Sequence, residues 1–292
     1  MKQTAKAELY LLFVTVIWGV TFPLIRDALT NIDPNLFVAL RFALAVLILL
    51  PFIWHKLPNT SRTILICSLI MGVLNSLSYL MQTLGLQTIS ASRSAFITGF
   101  SVVIVPLIAP LFKLGSLRSL DILCSIISVI GLYILTGANL DHITIGDKWT
   151  LLSTFAFALQ IVYLQRVASK INDYELLAFY QLIFTVPLVA GLSSHGHLLS
   201  VLKINVLIAL LFCAIFATTI AFFVQAKYQK FTTAPKAALI FSLEPVFASI
   251  FGYLINGDAF TKYTIFGGSL ILLSLVIPNV LQLFKEKSNL PC

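Results

Sequence analysis

The chain has 292 residues, of which 59% are hydrophobic and only 10% charged, with a formal net charge of +8 and a mean hydropathy of +0.99. A soluble globular chain carries about 25% charged residues, so this composition excludes a soluble fold. An outer-membrane barrel is excluded too, because its roughly ten-residue alternating segments do not occur.

Apolar runs long enough for a helix to cross a ~30 Å hydrocarbon core, about 20 residues each, follow one another along the whole chain. They predict ten transmembrane helices at 9–29, 35–54, 63–83, 93–112, 119–137, 149–168, 175–194, 204–226, 235–255 and 263–284, an all-α polytopic membrane protein. The first run follows a basic Met1–Lys6 segment but is long and has no small-residue cleavage site after it, so it is read as an uncleaved span. The connections are short and carry breakers: Asp33-Pro34-Asn35, Leu57-Pro58-Asn59, Gly137-Ala138-Asn139 and Asn256-Gly257-Asp258.

Taken in order, the spans offer few polar groups. Trp18 in the first is read as a cavity wall, or as a packing or interfacial anchor. Arg41 in the second would bind an anionic solute or serve a structural role, snorkelling to the outer interface or tying helices together, and the structural role is preferred. The third holds Ser68, Gly72, Asn75, Tyr79 and Gln82, spaced 4, 3, 4 and 3, which puts them on one helical face. That stripe is read as lining for a solute path, with helix packing as the alternative. Pro106 marks a bend in the fourth. Gln160 and Tyr163 in the sixth, Gln181 in the seventh, and Thr218 and Gln225 in the eighth are further pathway candidates.

The ninth span carries Glu244 beside Pro245. About 16 Å into the helix from Thr233, at ~1.5 Å per residue, the carboxylate would lie near mid-bilayer. Insertion scales put the cost of an acidic residue there at about 2.5–3.5 kcal/mol, so Glu244 is expected to face the bundle interior. It is read as a proton- or substrate-binding group at a bend, or as a structural Glu that hydrogen-bonds a neighbouring helix or pairs with Arg41. Pro245 lacks a backbone donor and would free the carbonyl of Phe241. In the last span Gly267-Gly268 is expected to allow close helix approach within the chain or between copies.

Short-loop Lys and Arg set the orientation. With the N-terminus inside, thirteen fall on the cytoplasmic side and five outside; Arg41, in the membrane, completes the 19. Topology therefore accounts for the positive charge without a nucleic-acid partner. Cys67, Cys124 and Cys213 lie in spans, where a thiol acts as a small apolar group, and Cys292 is terminal. His195-Gly196-His197 has no Cys or carboxylate neighbour, so neither a metal nor another cofactor is expected. Enzyme motifs are missing: there is no phosphate-binding glycine loop, no HExxH and no Ser/His/Asp set at one depth.

The segments "LQTISASRSAFI" (86–97) and "YQKFTTAPKAAL" (228–239) match at a separation of 142 residues. The chain thus reads as two five-helix halves, 1–142 and 143–292. Five is odd, so the second half enters from the opposite side as an inverted repeat, an arrangement that places solute sites at the midplane between halves.

With "VIWGVTFPLIRDAL" (16–29), "ALRFALAVLILL" (39–50), the "LQTISASRSAFITGFSVVIVPL" entry to the fourth span and above all "YQKFTTAPKAALIFSLEPVFASIFGYL" (228–254), the chain resembles the EamA branch of the drug/metabolite transporter superfamily. The resemblance implies a ten-helix inner-membrane carrier with both termini cytoplasmic, moving small organic solutes such as amino acids, other metabolites or amphipathic drugs. Pro106 lies three residues later in its repeat than Pro245 does, and no carboxylate in the first half answers Glu244, so the halves are not functionally equivalent. The expected function is secondary transport by alternating access. Efflux by proton exchange or facilitated diffusion is the first reading, uptake the second, and an integral-membrane transferase the reading from another class. The carrier is expected as a monomer or homodimer.

Overall fold

The structure is a computed structural model that describes residues 3–136, 143–191 and 201–288, and these residues contain helices and no strands. The loop at Gly137-Ala138-Asn139, the proposed boundary between halves, His195 and His197, residues 192–194 of the seventh predicted span, and Cys292 lie outside the described residues.

The breakers begin and end the helices. Asp33 caps α2 (Pro34–Ile53) by accepting from Leu36 N–H, and Pro34 takes the first turn, where its missing donor costs nothing. A short 3₁₀ turn, Trp54–Asn59, follows α2. Ser61 caps α3 (Arg62–Leu86), Ser90 caps α4 (Ala91–Gly99), and a reciprocal Thr144–Asp147 capping box opens α7 (Ile145–Ala168). Gly257, with φ of 71°, ends α12 (Glu244–Asn256) in the left-handed conformation that glycine tolerates.

Eight helices are long and apolar enough to cross a membrane by length and composition: Gln3–Ala28 (α1), Pro34–Asn59, Arg62–Leu86, Ala91–Phe112, Ser119–Thr136 (α6), Ile145–Ala168, Ile204–Phe231 and Ala234–Asn256. The predicted seventh and tenth runs fall on shorter apolar helices, α8 (Tyr174–Ala190) and the Lys262–Pro278 part of α13 (Lys262–Ser288).

Three of the spans are irregular. The fourth breaks at Phe100, between α4 and α5 (Ser101–Ile108). Pro106, expected to mark a bend, lies inside α5 instead; its missing donor frees the carbonyl of Val102, and Ser125 Oγ donates to that oxygen at 2.8 Å. The ninth span breaks at Ser242-Leu243, between α11 (Ala234–Phe241) and α12. The bend expected at Pro245 therefore precedes the proline, which occupies the first turn of the new helix. The two breaks lie 142 residues apart, the separation of the sequence repeat. The third irregular span runs α9 (Ile204–Phe212), a π-helical stretch Cys213–Ile220, then α10 (Ala221–Tyr228).

Polarity is distributed as hydrocarbon surroundings demand. Leu47, Phe52, Ile126, Ile208 and Phe266 are exposed, whereas Ser68, Asn75, Thr150, Gln160 and Thr218 are buried. Close helix approach tightens the bundle. A Cβ on Gly19 would meet Phe247 Cβ at 2.4 Å, and one on Gly267 would meet Leu135 N at 2.4 Å. The approach at Gly267 is thus used within the chain, between α13 and α6.

Candidate functional site

Residues from α1, α2, α3, α4, α7 and α12 converge on a central cavity of about 20 Å³. A buried water needs roughly 10–15 Å³ on this measure, so the cavity has room for about one. Five residues singled out from the sequence line it: Trp18, Arg41, Tyr79, Gln82 and Glu244. Thr21, Ser78, Thr98 and Phe157 complete the wall and were not anticipated. Thr21 had a signal: Trp18 and Thr21 are three residues apart on one helical face, and 142 positions later the chain repeats that spacing as Gln160 and Tyr163.

Arg41 neither snorkels nor stands free. It is 2% exposed, its Nε donates to Thr218 Oγ1 at 2.7 Å and its NH2 to the carbonyl of Ala217 at 3.2 Å. Both acceptors belong to the π-helical stretch. Ala221 N–H, which in a regular α-helix would bond Ala217 O, turns to the carbonyls of Phe216 and Thr218. The released oxygen of Ala217 also accepts from Trp18 Nε1 at 3.0 Å. The guanidinium further stacks over the Tyr79 ring, 4.7 Å from its centroid, a cation–π arrangement. One irregularity in the eighth span therefore anchors two cavity residues from two other helices.

Glu244 differs. It is 7% exposed and opens α12, where the helix dipole favours an anion. Among the described residues its carboxylate makes no hydrogen bond, and no nitrogen–oxygen approach within 4.0 Å joins it to Arg41. The ion pair considered from the sequence is not formed. Arg41 and Glu244 share one small cavity without touching.

The remaining candidates lie elsewhere. Ser68, Gly72 and Asn75 pack on α8: Ser68 Oγ donates to Leu177 O, Asn75 Nδ2 to Gln181 Oε1 at 3.2 Å, and Gly72 abuts Phe184. Of the predicted stripe, only Tyr79 and Gln82 reach the cavity; Gln82 Nε2 donates to Thr98 Oγ1 at 3.1 Å. Gln160 and Gln225 face each other at 3.4 Å in a buried glutamine ladder, which Gln225 Nε2 extends to Gln229 Oε1 at 3.0 Å. Gln229 Nε2 reaches Gln165 at 3.4 Å, and Gln165 donates to Thr232 O. Tyr163 is partly buried against the large core cluster. No group of three or more His, Cys, Asp or Glu side chains suited to a metal occurs among the described residues.

Toward one end the cavity is followed by a much larger vestibule of about 550 Å³. Three helices line both: Trp18 and Thr21 give way to Pro23 and Arg26 along α1, Thr98 to Ala91 and Ser92 at the start of α4, and Glu244 to Ala248, Ser249 and Gly252 along α12, while α6 and α13 close the vestibule through Leu135, Thr136, Tyr263 and Thr264. From Glu244 to Gly252 is ~12 Å at ~1.5 Å per residue. The opposite end is tied shut. Tyr10 and Tyr228 stack with ring centroids 4.2 Å apart, Lys236 pairs with Glu8 at 2.5 Å, and the glutamine ladder fills the space between α7 and α10.

Comparison with known proteins places this architecture. The family model described as the EamA-like transporter family matches twice, over residues 5–137 and 144–280. An uncharacterised transporter of Archaeoglobus fulgidus is 31% identical over 276 residues, covering 94% of this chain and 86% of the relative. The uncharacterised transporter YvbV of Bacillus subtilis is 26% identical over 289 residues, covering 96% and 94%. These relatives are named transporters, not enzymes. One crystal structure superposes with a TM-score of 0.72 at 15% identity, over 95% of this chain and 97% of the other, a likeness of fold.

Proposed function

This chain belongs to the EamA-like transporter family, a family of multi-pass membrane proteins that move small solutes, and from that premise we propose that it is a secondary carrier working by alternating access around the Arg41–Glu244 cavity. In this reading ten helices form two inverted halves, 1–142 and 143–292, which rock about the centre and expose the cavity to each side in turn. The carrier sits in the inner membrane with both termini cytoplasmic.

The observation that carries the reading is that buried Arg41 and Glu244 are held apart at the foot of a vestibule. A buried charge without a partner is costly in hydrocarbon, and an uncompensated carboxylate beside a cavity is relieved by a proton or by a cationic group of a solute. Once the rocking halves widen this one-water space, Arg41, Glu244 and the aromatic faces of Trp18, Tyr79 and Phe157 together suit a small dipolar solute with an apolar part, such as an amino acid, a derivative or an amphipathic drug. Glu244 then holds the cationic end or the coupling proton, and Tyr79 and Gln82 wall the path. Efflux by proton exchange is the first direction. Uptake is the second, because the larger opening lies at the end that the Lys and Arg count puts outside.

Purified protein in liposomes tests this. Labelled dipolar solutes should accumulate or exchange without chemical change and with a dependence on an imposed pH gradient. A chemically modified product would favour the transferase, and the absence of flux across a panel of zwitterionic and cationic solutes would remove the carrier reading of the cavity.

A further inference from the structure

We propose that the cleft between α4 and α7 is a binding site for an acyl chain of an anionic phospholipid, whose headgroup meets Lys148. The cleft has a volume of about 280 Å³, and Phe96, Ile97, Phe100 and Leu151 form its apolar walls, while Arg93, Asp147 and Lys148 stand at its rim. The Phe96 and Phe100 rings meet edge to face, 5.1 Å apart.

The two helices run in the same direction. Arg93 pairs with Asp147, and farther along Thr154 Oγ1 donates to Ile97 O at 3.1 Å. Both are candidate membrane spans, beginning at Ala91 and Ile145, so the charged rim sits where each enters the bilayer. From Arg93 to Phe100 the cleft descends ~10 Å at ~1.5 Å per residue, into the hydrocarbon of a ~30 Å core. Its polarity therefore changes with depth as a phospholipid's does.

Charge selects the headgroup. Two nitrogens of Arg93 meet the two oxygens of Asp147 at 2.5 and 2.9 Å, and Thr144 N–H and Oγ1–H donate to the same carboxylate. That pair is locally neutral. Lys148 is exposed and forms no ion pair among the described residues, and the starts of α4 and α7 add the positive ends of two helix dipoles. Among the described residues the rim thus carries an excess positive charge at the depth of lipid phosphates. The cleft is distinct from the solute cavity, which α4 reaches through Thr98.

Native mass spectrometry of the purified carrier, with phosphatidylglycerol or phosphatidylcholine added, tests the proposal. The wild type should retain one more phosphatidylglycerol than phosphatidylcholine. Lys148→Glu should lower that retained population at least about fivefold, the scale of losing one surface cation near an anionic leaflet. Leu151→Trp, which fills the cleft and leaves the rim intact, should lower it as well. Lys262→Glu, at another exposed lysine beginning a helix, should retain it. Equal retention of both lipids, or wild-type retention by either cleft variant, would overturn the proposal. So would displacement of the lipid by a transported solute, which would make the cleft a solute portal.

Discussion

Arg41 and Glu244 line the same cavity, yet the fold treats them oppositely. Arg41 has a hydroxyl, a backbone carbonyl and an aromatic ring arranged around it; Glu244 has a helix start and an adjacent space. A charge held inside a bilayer by fixed partners does structural work. One left facing a cavity is available to something that arrives. The difference originates in two backbone irregularities, the π-helical stretch that releases the Ala217 carbonyl and the break that makes Glu244 the first residue of a new helix.

Removing the satisfied charge should cost the most stability. Arg41→Ala deletes two hydrogen bonds from a charged donor, each worth about 1.5–3 kcal/mol, and leaves Glu244 without a counter-charge. Thermal unfolding in detergent should show a loss of roughly 3 kcal/mol or more, with Arg41→Lys recovering only part because an ammonium cannot reproduce the guanidinium fork. An unchanged melting temperature would mean that the π-helical anchor contributes nothing. Thr218→Val should cost less, about 1.5–3 kcal/mol for one charged hydrogen bond, while solute exchange persists. If exchange is abolished while the protein stays folded, Thr218 acts on the solute and the contrast between the two walls weakens. Smallest is Trp18→Phe, which keeps an aromatic wall and loses the bond to Ala217 O. About 1 kcal/mol should disappear from the unfolding free energy, and a much larger loss would show that Trp18 fixes the π-helical stretch.

Much of this organisation is legible in the chain. Hydropathy marks the spans, eight on helices long enough to cross and two on shorter ones, and Asp33-Pro34, Ser90 and Gly257 mark helix ends because caps act locally. The convergence of Arg41, Tyr79, Gln82 and Glu244 follows from the expense of polar groups in hydrocarbon. That rule turns side chains inward without saying whether they meet a neighbouring helix or a space. Asn75 and Tyr79 share a helical face, but Asn75 lies where α8 crosses and Tyr79 lies beyond it. The partners of Arg41 are more than 170 residues away in sequence and depend on a π-helical stretch that leaves the hydrophobic pattern of CAIFATTI unmarked. Proline misleads about position as well. Pro106 sits within a helix because Ser125 satisfies the carbonyl it frees, and the break falls six residues earlier at Phe100.

In the proposed function Glu244 is held without a partner so that it can act, and two fluxes of Glu244→Gln in proteoliposomes test this. The amide is nearly isosteric and adds no charge, so the fold should be kept. Solute counterflow should continue, while flux driven by a pH gradient should fall to the level of protein-free liposomes. Unimpaired pH-driven flux by the folded variant would contradict the account and return Glu244 to the structural class in which Arg41 already stands.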